Sequence, residues 1–158
     1  MNTRSKINRI LKNRIVLLDG ATGTELQKQG MPTGACPEIW ALQNPVGLAK
    51  IHWAYEDAGS DIVYTCTFGG NRLKLNQYGV TNIGETNRRL AALAKEAVDD
   101  ITLVAGDIGP TGHFVEPFGD LSFENAVDIY KEQIRGLIDG GVDLLIIETM
   151  LDIQETRA

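Results

Sequence analysis

Apolar residues in this chain fall into four short continuous runs separated by stretches of helical spacing. Residues 15–18 (IVLL) lead straight into Asp19 and a Gly-rich turn. A run of this kind fits a strand buried on both faces, as in a parallel sheet. Similar runs follow at 61–67 (DIVYTCT), 101–105 (ITLVA) and 142–147 (VDLLII). Between them, Asn44-Pro45 opens a helix with Leu48, Ile51, His52, Tyr55 and Ala58 on one face, closed by Gly59. Residues 85–100 carry Leu90, Leu93, Ala94, Ala97 and Val98 on a second helical face. Ser122 caps a third helix, bearing Phe123, Val127, Tyr130, Ile134, Leu137 and Ile138 and stopped by Gly140-Gly141. Shorter helical pieces are predicted at 25–29, 38–42, within 68–79 and at 151–158. Residues 1–14 form a helical lead-in with Ile7, Ile10 and Leu11 on one side.

The order is strand, helices, strand, helices, strand, helix, strand. Each crossover is long enough to bring the chain back for a parallel neighbour. Residues 57–65 and 139–147 repeat one unit: a helix end, a glycine, an aspartate and a strand. Two architectures fit, a doubly wound sheet and a (β/α)8 TIM barrel. A complete barrel takes about 250 residues, so four units in 158 residues correspond to about half of one. Gly20-Ala21-Thr22-Gly23 is not GxGxxG, and no GxxxxGK[ST] occurs. The expected fold is therefore α/β, with residues 15–158 as the first four β/α units of a barrel.

Composition narrows the function class. The chain is 43% hydrophobic and 23% charged, with a net charge of −6 and no basic run. That argues against nucleic acid or an anionic membrane surface as partner. The run at 144–147 is far too short to span a bilayer, and the polar, basic first residues lack the apolar core of a secretory signal. Two cysteines, Cys36 and Cys66, make neither a disulfide framework nor a CxxC pair. A reducing cytoplasm is the expected location.

The strand ends supply Asp19, Thr65, Cys66, Thr67, Asp107 and Glu148. Three carboxylates on one rim suit a hard cation or an ammonium group. Acids after strands also cap the next turn through backbone N–H groups. The Gly-rich turns bring backbone N–H groups near a ligand anion, or serve as tight turns requiring positive φ. Cys66 reads as a small buried hydrophobe before it reads as a nucleophile. Cys36 gives no better signal. His52 reads as structural, and His113 is a weak general-base candidate. Trp40 and Phe68 are candidates to line a pocket.

LLDGATGTEL (17–26), DIVYTCTFGGNRLKL (61–75), GDIGPTG (106–112) and LLIIETM (144–150) occur in this order. Together they resemble the homocysteine S-methyltransferase family, most of all the amino-terminal homocysteine modules of cobalamin-dependent methionine synthases. The resemblance implies a (β/α)8 barrel that methylates the sulfur of homocysteine to give methionine. It implies Glu148 and Asp19 at the substrate ammonium and the backbone around Gly20 and Ala21 near the substrate. Thr65 and Cys66 stand at the same site. Cys66 replaces the Asn of the family's frequent TNTF segment, and Asp107 lines the rim. The donor would be methylcobalamin, betaine or S-methylmethionine, with cobalamin carried by other modules. The family's zinc sits on three cysteines at later strand ends, which this chain lacks. No metal ligand or catalytic residue is therefore assigned here, and the chain is expected to be inactive without the C-terminal half of the barrel. Two alternatives stay open: a lyase or aldolase holding Mg²⁺ or Mn²⁺ on Asp19, Asp107 and Glu148, and a non-catalytic half-barrel assembly module.

Overall fold

The computed structural model describes residues 3–158. Its elements, in order, are α1 (Thr3–Leu11), α2 (Thr22–Lys28), α3 (Pro37–Gln43), α4 (Pro45–Asp57), β1 (Ile62–Tyr64), α5 (Arg72–Leu75), α6 (Ile83–Ala97), β2 (Leu103–Ile108), α7 (Phe123–Asp139), β3 (Leu144–Ile147) and α8 (Ile153–Arg157). A 3₁₀ turn at Asn76–Tyr78 follows α5. The strands form one parallel sheet in the order β1-β2-β3, with Tyr64 opposite Ala105 and Asp107 opposite Ile146. The result is a mixed α/β structure with helical crossovers.

The predicted first strand needs correcting. Residues 15–18 form no strand, and only Leu18 bridges Ile62. Ile15 is 78% exposed and Leu17 50%, so the run is not buried on both faces. It lies against a single neighbour, held by the backbone bonds Asp19 N–H to Ile62 C=O and Asp61 N–H to Leu17 C=O. The predicted third strand is also misplaced. Ile101 is 81% exposed and outside β2. Gly106, Asp107 and Ile108, read as a turn, belong to the strand, and β2 is buried along its whole length. Gly106 is needed because a Cβ there would stand 2.8 Å from Leu145 Cδ2 and 3.0 Å from Leu137 Cδ1. It is a packing glycine that lets α7 seat on the sheet.

The repeated Gly-x-Asp unit has a structural function. Gly59 and Gly141 both take positive φ, 98° and 89°, where a Cβ is strained. The aspartate two residues after each one ties its strand to the segment alongside. Asp61 accepts from the Leu17 N–H at 2.9 Å and from the Arg14 guanidinium. Asp143 accepts from the Val104 N–H at 2.9 Å and from Lys95 at 2.8 Å. Arg14 and the Leu17 N–H hold the Asp61 carboxyl below its ordinary range.

Helix starts follow the sequence with small shifts. Ser122 caps α7 through the Asn125 N–H, as predicted. Asn82 caps α6 through the Glu85 N–H, and the helix begins at Ile83, two residues before the expected start. Asn44 precedes Pro45 as expected, but its side chain does not cap α4. Its Nδ2 donates instead to the Trp40 carbonyl, closing α3. In α1, Ile7 packs against the sheet core while Leu11 is exposed.

The tightest helix contact is between α6 and α7. A Cβ on Gly136 would lie 2.3 Å from the Gly84 carbonyl oxygen. The backbones therefore touch where side chains would normally stand. Gly136→Ala is expected to lower stability by about 1–3 kcal/mol through overpacking, read as a fall in the urea midpoint. An unchanged midpoint would show that the two helices can separate freely.

Candidate functional site

The C-terminal ends of the strands open into a pocket of about 810 Å³. Asp19, Gly20, Ala21, Thr65, Cys66, Asp107 and Glu148 all line it, so the structure brings these residues together at one pocket. Thr67, Phe68 and His113 line it too, whereas Trp40 packs into the core beside α4. His52 is buried with both ring nitrogens unpartnered, and burial lowers its pKa to about 4.

Asp19 does not cap the helix after it. Its Oδ2 accepts from the Tyr64 N–H across the sheet at 3.0 Å. Its Oδ1 is buried without a partner. Desolvation raises its pKa to about 7, and the charge of Glu148 adds to the shift. Asp107 behaves alike: Oδ1 is unpartnered, and burial, Glu148, Asp19 and Glu38 raise its pKa to about 7. Burial of a carboxyl among like charges disfavours the ionised form.

The Asp107 backbone is held firmly. Its N–H donates to Thr65 Oγ1 at 3.0 Å, and Thr67 Oγ1 donates to its carbonyl at 2.8 Å. Since the Thr67 proton is used there, Thr65 is the donor in the 2.6 Å contact between the two hydroxyls. Gln133 adds a bond to the Thr67 carbonyl at 2.8 Å. Both threonine hydroxyls thus serve to fix the end of β2.

Glu148 follows β3, and its neighbour Thr149 has φ 58°. A β-branched residue in that region is a genuine outlier, of the kind that collects at functional sites. Gly20 has a steric reason as well. A Cβ there would meet the Tyr55 hydroxyl at 2.9 Å, and that hydroxyl donates to the Ala21 carbonyl at 3.3 Å.

Sequence reasoning missed three buried acids, one that lines the pocket and two that hold a loop beside it. Glu38 is buried in the first turn of α3. Its Oε1 accepts from the Gly69 N–H at 2.6 Å and its Oε2 from the Cys36 thiol at 3.1 Å. Glu155 accepts from the Thr111 N–H at 2.7 Å and from the Tyr130 hydroxyl at 2.8 Å. Asp152 accepts from the Val115 N–H at 2.7 Å. Together these last two pin the loop that carries His113. The only sequence signal for Glu38 was a lone acid after Pro37.

A model of the homocysteine S-methyltransferase family matches residues 16–158. The chain belongs to that family. It is 32% identical over 161 aligned positions to a methionine synthase of Mycobacterium leprae, covering 94% of this chain and 13% of that protein. It superposes on the homocysteine methyltransferase MmuM of Escherichia coli in its metallated form with a TM-score of 0.80 at 23% identity, and in its oxidised form with 0.82 at 24%. Those matches cover 95% of this chain and 59% and 58% of the MmuM chain. At that identity they speak for the fold alone. The chain spans a small part of the methionine synthase and somewhat over half of MmuM.

A zinc site on this family member's own residues does not fit. Cys36 Sγ donates to Glu38, and burial with that acid pushes its pKa up to about 11. Cys66 is buried in the core, and burial raises its pKa well above the ordinary thiol value. Zinc would have to displace the proton of either thiol, which burial disfavours at both positions. Among the described residues no group of three or more His, Cys, Asp or Glu is placed to hold a metal ion. That includes Asp19, Asp107 and Glu148, the set the lyase reading required. No helix among the described residues is long and apolar enough to cross a membrane.

The raised carboxyls fix a pH signature. A folded-state pKa above the ordinary 3.8 means that stability is fully present below pH 3.8 and is lost as pH rises through about 7. Asp107→Asn removes one such group without changing its shape. The variant's stability advantage over the wild type is expected to grow from pH 4 to 7, reaching roughly 2–4 kcal/mol, and then level off. Denaturant melts across pH check this, since titrations of groups not coupled to Asp107, such as His52, cancel in the difference, and only Asp19, Glu148 and Glu38 respond to the substitution. A difference independent of pH would contradict it.

Proposed function

We propose that this chain is the homocysteine-binding part of a homocysteine S-methyltransferase that forms methionine. In this reading residues 15–158 are the first four β/α units of a (β/α)8 barrel, preceded by a helical lead-in seen as Thr3–Leu11, the first two positions of the 1–14 segment lying outside the described residues. The observation that carries the proposal is the pocket at the strand ends, where Asp19 and Glu148 interact electrostatically and Asp19 has an unpartnered oxygen. A substrate ammonium is the natural complement of such a pair. Family membership supplies homocysteine as the amino acid.

In the proposed complex Asp19 and Glu148 grip the ammonium, and the backbone around Gly20 and Ala21 faces the carboxylate end. The side chain then points across the pocket, carrying the thiol away from the acids. There the sulfur attacks the methyl carbon as a thiolate; the S–C bond forms as the bond from methyl to its donor breaks. Zinc ligation is assigned to residues outside 1–158, in the remaining strands of the barrel. Exposed Leu17 and Leu18 on one side of the sheet and Leu145 and Ile147 on the other support an apolar partner of that kind. A volume of about 810 Å³ leaves space beside a small amino acid for a methyl donor. Methylcobalamin, with cobalamin carried on further modules, is the donor favoured by likeness to a methionine synthase that is far longer than this chain. Betaine and S-methylmethionine are the other candidates. Two free, buried cysteines agree with a reducing cytoplasm.

Calorimetric titration with L-homocysteine tests the reading. The wild-type chain is expected to bind, and Glu148→Gln to weaken binding by about tenfold, because a hydrogen bond to a charged group is worth about 1.5–3 kcal/mol. No methyl transfer is expected from the isolated chain. Turnover by residues 1–158 alone, or equal affinity in Glu148→Gln, would contradict the proposal.

A further inference from the structure

Asp107 ends the central strand at 6% exposure and faces the pocket. Its backbone N–H and carbonyl are both engaged by the threonines after β1. Its Oδ1 is buried and has no partner. The charged groups that act on it most strongly are the acids Glu148, Asp19 and Glu38. The pocket's lysine, Lys74, lies over the Phe68 ring, 4.9 Å from its centre. Glu38 already accepts two hydrogen bonds from the protein. Asp19 Oδ1 is a second unpartnered oxygen in the same pocket.

Leaving a buried acceptor unsatisfied costs about 1–3 kcal/mol. Two such atoms among like charges therefore point to a ligand that brings both positive charge and several N–H donors. An ammonium has three donors. Asp19 and Glu148 take two of them in the reading given above, which leaves one acceptor and one donor to be matched.

We propose that Asp107 is a substrate-contacting specificity residue: its Oδ1 accepts the third N–H of the substrate ammonium, so that the pocket selects a free primary amine. The inference rests on the homocysteine reading. It differs from that reading in assigning amine selectivity to the central strand. A site built to hydrogen-bond a group rejects the analogue lacking it far more strongly than an apolar site can.

The test compares L-homocysteine with 4-mercaptobutanoate, which keeps the thiol and carboxylate but lacks the amine. Affinities are measured by calorimetry on the full chain, wild type and Asp107→Asn. The wild type is expected to prefer L-homocysteine. Asp107→Asn is expected to weaken L-homocysteine by about tenfold or more while 4-mercaptobutanoate changes by less than about twofold. An equal loss for both ligands, or no loss for either, overturns the assignment. Should Asp107→Asn not fold by thermal melt, Asp107→Ser is measured against the same criteria. A wild type that binds L-homocysteine no better than 4-mercaptobutanoate overturns amine selectivity alone. A wild type that binds neither overturns the homocysteine reading together with the role of Asp107.

Discussion

Two carboxyl oxygens, Asp19 Oδ1 and Asp107 Oδ1, are buried at the strand ends with nothing to accept from. Protein interiors rarely tolerate this, because a lost hydrogen bond in a low dielectric is not compensated by solvent. Here the fold enforces it. Asp19 is fixed by the Tyr64 N–H, and Asp107 by the paired threonines and by its place inside β2. The Asp19 carboxylate is tied to β1 by that bond, and the Asp107 backbone is fixed with its side chain facing the pocket. The chain carries this penalty in the folded state as proton affinity, with both carboxyls poised near pH 7. A cation entering the pocket relieves it.

Much of this was legible in the sequence, because strand ends in a parallel α/β protein are marked by apolar runs stopping at polar residues. Asp19, Thr65, Cys66, Asp107 and Glu148 were found that way, and all line one pocket. The errors have physical causes. The apolar run at 15–18 promised a doubly buried strand, but burial depends on neighbours that a local pattern does not contain. Gly106 looked like a turn glycine because sequence alone does not tell a glycine that bends the chain from one that makes room for Leu137 and Leu145. Glu38, Asp152 and Glu155 were invisible because their partners, Gly69, Val115 and Thr111, are distant in the chain. The repeated Gly-x-Asp unit was seen as a pattern. That its aspartates tie each strand to the neighbouring segment became clear only from the Leu17 and Val104 amides.

The resemblance drawn from four short motifs and the family match over residues 16–158 converge on the homocysteine S-methyltransferases. The proposed function adds a division of labour that the motifs do not carry. Thiol-side chemistry has no support in this chain, since Cys36 and Cys66 are buried and protonated. In the proposed reading the unpartnered oxygens of Asp19 and Asp107 are the acceptors for the substrate amine. The exposed apolar residues on both outer segments of the sheet are consistent with that division, because a site shared between two halves of a barrel needs a partner surface of this kind.

The central claim is that the pocket's buried carboxyls await an ammonium. It is tested most directly by NMR titration of the Asp19 and Asp107 carboxyl carbons, with and without L-homocysteine. The free chain should show both groups titrating near pH 7, and saturation with L-homocysteine should move both downward, because a cation favours the ionised form. Titration of both at the ordinary carboxylate pH, unmoved by L-homocysteine, would contradict the account.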